Sequence, residues 1–193
     1  MKLRFFVSSM VLAITSIAAH GQVGLYINPV GVNVSNSTAD SGTFAFLGDN
    51  VTSRTFFGVN IGGYDDFYHG EKIDAGIDIR DSFSKANNAS LNSFLIGGRV
   101  VGKLQSSAFK PFAQFSVGVG STKAPTSSVH TSRIQYAIFG GVDYTLAKHL
   151  DFRAVELGYG GLSTVSSSIY NGTIPYSASR LFSVSTGLVF TIP

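Results

Sequence analysis

The chain has no cysteine, no tryptophan and few charges, and beyond its first twenty-one positions it has no long apolar run. Each absence excludes something. Without cysteine there is no disulfide framework, although an exported protein could have used one. Charged residues make up 13% of the chain, against about 25% in an average soluble domain, so an ordinary soluble enzyme surface is hard to build. A membrane helix needs about 20 consecutive apolar residues, and none is present past residue 21. Yet 44% of the 193 residues are hydrophobic, far too many for a disordered chain. The sequence is apolar on average and still lacks an apolar span.

Part of the apolar content sits at the start. Lys2 and Arg4 give a positive end, Phe5 to Ala18 is mostly apolar, and Ala19-His20-Gly21 offers small residues at a cleavage position. That is the layout of a secretory leader over residues 1–21. Removing Lys2 and Arg4 from the 14 basic residues leaves 12 against 11 acidic ones. No basic excess remains to attract nucleic acid. Residues 22–193 read as one domain.

Within that domain the period is two. In Lys72 to Arg80, Ile73, Ala75, Ile77 and Ile79 take one parity, and Lys72, Asp74, Asp78 and Arg80 take the other. A half-apolar strand alternates this way; a helix would mix the two sets. Similar alternation predicts eight strands near 22–34, 54–64, 72–81, 92–103, 109–120, 132–145, 150–160 and 179–190. Pro29 interrupts the first, where a ladder N–H is lost. The connections run long, short, long, short, long, short, long, and the long ones are rich in polar residues, as at Ser35-Asn36-Ser37-Thr38 and Ser166-Ser167-Ser168. Short turns at one end and long loops at the other, with an even strand count, predict an all-β, eight-stranded, antiparallel up-and-down transmembrane barrel of the outer membrane. Closure follows, because an open edge in hydrocarbon strands its N–H and C=O groups. Tyr64, Phe67, Tyr68, Phe109, Tyr144, Phe152 and Phe190 gather near the short turns as an interfacial girdle.

With the apolar parity facing lipid, the polar parity faces inward. Eight strands leave room only for side chains. The inward charges are Lys72, Asp74, Asp78, Arg80, Arg99, Lys103, Arg133, Asp143, Arg153 and Glu156. They are expected to pair as a plug, since an unpaired buried charge is costly. Arg153 and Glu156 have opposite parity, so both face inward only if a bulge rephases strand seven.

Two stretches then resemble the OmpA/OmpX-type small outer-membrane barrel family. Gly140-Gly141-Val142-Asp143-Tyr144-Thr145-Leu146, a short turn, then Arg153 to Glu156 and Tyr159 resembles that family's last-hairpin region. Many relatives space the Arg and Glu two apart rather than three. Ser185, Gly187, Phe190 and Ile192 resemble the terminal signal read by the barrel-assembly machinery, with Thr191-Ile192-Pro193 extending past the usual aromatic end. The resemblance implies an integral protein of the Gram-negative outer membrane, in contact with outer-membrane lipid, lipopolysaccharide and that machinery. Small barrels of this family include structural, adhesive and stress-related members and a few enzymes, and a non-enzymatic role is expected here. A monomer without cofactor is expected.

Other chemistry finds little support. His130 and Ser132 share one face, as in lipid A deacylases, but the candidate third member Glu156 falls about nine residues away, or about 30 Å. His69 and His149 lack ligand spacing, and Asp65-Asp66 beside His69 and Glu71 reads as a solvated acidic turn. Gly97-Gly98 and Gly140-Gly141 read as packing positions. Phe44-Ala45-Phe46-Leu47 is either an apolar partner patch or an extension of strand two. The alternatives to a plugged structural barrel are a narrow channel and a soluble lipocalin-like binding barrel with its apolar parity inward.

Overall fold

Alternating side chains need two different surroundings, and a closed sheet supplies both. The computed structural model describes residues 22–39, 45–104, 108–163 and 178–192. Eight strands succeed one another: β1 (Gln22–Ser35), β2 (Ser53–His69), β3 (Ile73–Ala86), β4 (Ala89–Gly102), β5 (Phe109–Lys123), β6 (His130–Ala147), β7 (Leu150–Ser163) and β8 (Ala178–Ile192). Each pairs antiparallel with the next, and β8 pairs back on β1. The leader read at 1–21, Phe44 and the Ser166–Ser168 run lie outside the described residues.

Register fixes the tilt. From Leu25, partners run through Gly63, Ile79, Ile96, Val117, Tyr136, Gly161 and Arg180, and return to β1 at Ser35. The row closes ten residues beyond its start (35 less 25). Ten residues at about 3.3 Å against eight strands at about 4.8 Å give a tilt of about 40°. A residue therefore rises about 2.5 Å along the axis, and a step to the next strand along a row rises about 3 Å.

The parity prediction holds. Ile27, Ile61, Ile79, Ile96, Val117, Ile138 and Leu157 face outward and are exposed, while Asn28, Asn60, Asp78, Arg80, Ser93, Gln114 and Asp143 face inward and are buried. This overturns the soluble binding barrel, whose apolar parity would line the interior.

Several boundaries move. The expected loop over 82–91 is mostly strand: β3 and β4 stay paired to Ala86↔Ala89, and Asn87-Asn88 turn the chain, with Asn87 at a φ of 52°. Asparagine tolerates that left-handed region. The long-short alternation of loops thus fails here, because these two strands run on past the belt. β2 likewise continues to His69 with a register shift between Asp65 and Tyr68. Asp65 and Asp66 are therefore strand residues, and Asp66 is buried. Pro29 breaks the ladder without shifting it: pairing with β8 stops at Ile27↔Leu188 and resumes at Val30↔Ser185.

The segment Ala45-Phe46-Leu47 neither extends β2 nor forms a surface patch. It is buried with Val34, Phe56, Leu91, Leu162 and Leu181 inside the mouth at the long-loop end. Phe46 stacks on Phe56 with centroids 5.1 Å apart. A tight turn seats it, with Gly48 N–H donating to Ala45 O (3.1 Å) and Gly48 at a φ of 106°. An apolar plug buried this way avoids the cost of wetting the mouth's inner wall.

The tilt places Ile79 near the middle of the outer belt and Ile73 at its short-turn edge. Ile79→Lys is expected to cost about 2–4 kcal/mol in folding titrations into lipid vesicles, and Ile73→Lys about 0–1 kcal/mol. Equal costs would mean that the belt is not centred on Ile79.

Candidate functional site

The interior is built by one irregularity in β7. Arg153 pairs with Gly187 and Glu156 with Ser185, so three residues of β7 span two of β8. On the other side, Val142↔Val155 gives way to Asp143↔Arg153. Ala154 and Val155 both turn outward, and Arg153 and Glu156 both turn in. The bulge that would let both charges face inward is therefore present. It brings two opposite charges into one buried cluster.

That cluster holds three arginines and three carboxylates, all nearly fully buried: Arg80, Arg99, Arg153, Asp78, Asp143 and Glu156. Arg80 grips Glu156 with two bonds, Nη1 to Oε1 at 2.6 Å and Nη2 to Oε2 at 2.8 Å. Arg153 grips Asp143 likewise, Nε to Oδ1 at 2.8 Å and Nη2 to Oδ2 at 3.1 Å, and its Nη1 reaches Glu156 Oε2 at 2.9 Å. Arg99 Nη2 adds a bond to Asp143 Oδ2 at 3.3 Å. The two-toothed pairs are the strong kind of charge-assisted bond. The charges sum to zero, so the cluster fills the lumen without a net field.

Charge-based reading missed several partners. The Tyr26 hydroxyl donates to Asp78 (3.0 Å) and accepts from Arg80 Nε (3.0 Å). Gln114 Nε2 donates to Asp78 Oδ1 at 2.6 Å, and Ser185 Oγ donates to Glu156 Oε1 at 3.0 Å. Tyr64, read as part of the girdle, turns inward and lies 3.6 Å under the Arg99 guanidinium, a cation–π contact. Parity with Asn60 and Gly62 would have placed it there. Each of these tyrosines faces a glycine across the β1–β2 rung, Tyr26↔Gly62 and Tyr64↔Gly24. A Cβ on either glycine would run into the ring. The other six girdle residues, from Phe67 to Phe190, are exposed outward.

Four of the predicted interior charges lie elsewhere. Lys72 sits in the exposed turn before β3, because β3 begins one residue later. Arg133 has inward parity but lies near the outer rim and is exposed. Asp74 and Lys103 pair at the short-turn mouth (2.7 Å) rather than in the core, with His69 Nδ1 also 2.9 Å from Asp74. Beside them, Lys110 pairs with Asp151 at 2.8 Å. Side chains at this mouth line a cavity of about 240 Å³ that includes Tyr64, Asp66, Asp74 and Arg99.

Above the charges lies a small cavity of about 40 Å³, lined by residues including Asn60, Ser82, Ser93 and Gln135. That is room for a few waters. Val30, Val32, Leu91 and Leu181, which also line it, belong to the same apolar cluster as Phe46 and Phe56. Among the described residues the lumen is therefore stopped at two levels, by charge pairs and by apolar side chains.

No catalytic or metal constellation assembles from the candidates. Glu156 pairs in register with Gly141 and is bound to Arg80 and Arg153 inside, whereas His130 and Ser132 are exposed outside. Among the described residues no cluster of three or more His, Cys, Asp or Glu could hold a metal ion. On β8, Ser185 serves the charge cluster, Gly187 packs against Asn28, and Phe190 and Ile192 are exposed outward.

Glu156→Gln leaves two buried arginines short of a charge. It is expected to destabilise the barrel by about 3–5 kcal/mol in urea unfolding. Arg133→Gln should stay within about 0.5 kcal/mol of the parent.

No family model and no curated protein matches this chain. Solved structures do. Neisserial surface protein A is 16% identical with a TM-score of 0.58, over 90% of this chain and 100% of that one. Ail, the attachment invasion locus protein of Yersinia pestis, solved with the heparin analogue sucrose octasulfate, is 9% identical with a TM-score of 0.54, over 90% of this chain and 99% of that one. The chain has the fold of these small outer-membrane barrels.

Proposed function

We propose that this chain is an integral outer-membrane barrel of the Gram-negative envelope, non-enzymatic, with a structural or surface-interaction role. The observation that carries the reading is the inversion of the sheet: apolar side chains outside on every strand, and a neutral, interlocked charge cluster inside. In water such an outer face would be a continuous apolar patch far beyond what a soluble monomer exposes. In lipid it is the expected belt. The leader pattern of 1–21 supports export. The two similar structures are named for a surface protein and an attachment invasion locus protein, which fits display of loops.

The β8 residues Ser185, Gly187, Phe190 and Ile192 would be read by the barrel-assembly machinery. No ladder edge is left for a second copy, which supports a monomer. A narrow channel is the second reading. The stacked plugs count against it, since an ion would have to cross both the charge cluster and the Phe46–Phe56 seal.

On gels of purified outer membranes, boiled and unboiled protein are expected to migrate differently. Co-migration together with release by carbonate would remove the membrane reading. In planar bilayers the folded barrel should show no discrete openings, and steady unitary currents would establish the channel instead.

A further inference from the structure

The outer face of β3 to β5 changes character in layers. Above the apolar row Ile79↔Ile96↔Val117 comes Asp81↔Phe94↔Val119, in which Phe94 and Val119 are exposed and apolar. The next outward row is Phe83↔Asn92↔Ser121. The row above it is Lys85↔Ser90↔Lys123. All these positions share outward parity, since Ser84, Leu91, Ser93, Gly120 and Thr122 alternate with them and are buried.

With the tilt included, Lys85, Asn92 and Ser121 lie within about 3 Å of one height, and Lys123 stands about 6 Å above Lys85. One strand, β4, separates the lysines, so their backbones are two strand spacings, or about 10 Å, apart. Lys85 is exposed, and Lys123 Nζ leans to Asn88 O at 3.4 Å. The outward carboxylate of β3, Asp81, lies two outward positions below Lys85, within the apolar belt.

From bottom to top the face offers mostly apolar side chains, then a level at which Lys85 stands beside the amide of Asn92 and the hydroxyl of Ser121, then Lys123. An amphiphile in the outer leaflet presents acyl chains, then sugar or glycerol oxygens with phosphate beside or above them, over a similar height. We propose that this face, with Lys85 and Lys123 as its cations and Ser90, Asn92 and Ser121 between them, binds the phosphate-bearing headgroup of an outer-leaflet lipid. The two lysines flank one phosphate as point charges, and the amide and hydroxyls hydrogen-bond the oxygens beneath it. The proposal rests on the outer-membrane reading, which sets this end at the outer leaflet.

The test uses the folded barrel in neutral detergent micelles, with binding read by native mass spectrometry. The probes are bis-phosphorylated lipid A, its dephosphorylated form, and inorganic phosphate alone. Lipid A is expected to bind, and removing its phosphates or both lysines (Lys85→Gln with Lys123→Gln) should weaken binding by about 25-fold, at about fivefold for each lysine. Lys148→Gln, at an exposed lysine in the opposite turn, should bind as the parent does, and Lys85→Arg with Lys123→Arg should retain binding. Equal affinity for dephosphorylated lipid, or equal loss in Lys148→Gln, would overturn the proposal. Inorganic phosphate binding as tightly as the lipid would make this a free-anion site and overturn the lipid assignment. Heat-modifiability of the same variants is a separate readout: a barrel that stays heat-modifiable but shows no phosphate preference refutes this site and leaves the membrane reading intact.

Discussion

Everything inside this barrel depends on neutralising three arginines in a space with no room for bulk water. Arg80, Arg99 and Arg153 are each nearly fully buried, and each reaches a carboxylate. A single guanidinium left alone there would cost several kcal/mol. The β7 bulge exists in this light as a phase correction: without it, Glu156 would face outward, and Arg80 would lose its two-toothed partner. Aromatic rings complete the enclosure. Arg80 and Arg153 lie over Tyr26, and Arg99 over Tyr64, so the faces that hydrogen bonds do not use rest on π surfaces. Those rings fit because glycines stand opposite them.

The two ends of the lumen solve the same problem differently. The end with the short turns carries wet ion pairs around its cavity, Asp74 with Lys103 and Asp151 with Lys110, which keep one partner in solvent. Such pairs contribute little to stability. The other end is closed by packed carbon, where Phe46 and Leu47 enter from the β1–β2 loop. The result is a wall that meets apolar surroundings outside while its own interior needs nothing from them. On β5 the outer face is graded too, passing from Val119 through Ser121 to Lys123.

Much of this was legible because a strand's side-chain period is two and a barrel has only two faces. Alternation located all eight strands, the outward belt, six of the girdle residues, and Asp78, Arg80, Arg99 and Asp143 in the core. The spacing of Arg153 and Glu156 left two outcomes, a bulge or one charge outside, and the structure has the bulge. What failed was reading by proximity instead of phase. Tyr64 was grouped with its neighbours at the strand end, although its parity with Asn60 pointed inward. Lys72 and Arg133 had the correct parity but stood too near the ends to be enclosed. Tyr26 and Gln114 were missed since they carry no charge, yet they hold Asp78.

Loops were the least legible part, for a physical reason. The pair Asn87-Asn88 could turn the chain anywhere within a polar run, and only the register of β3 on β4 decides that strand continues to Ala86. Nothing local tells Phe46 to fold inward; the open, apolar mouth made by Val34, Phe56 and Leu162 does. By itself the sequence determined the strand count, the two faces and four of the buried charges, because those follow from a period of two; the neutrality of the core emerged only when Lys72, Asp74, Lys103 and Arg133 fell outside it. Only the tertiary structure decided which arginine holds which carboxylate, where the lumen is sealed, and which outward residues share a height. Those depend on the offset of ten residues around the closed sheet, a property of the ring of pairings rather than of any one strand.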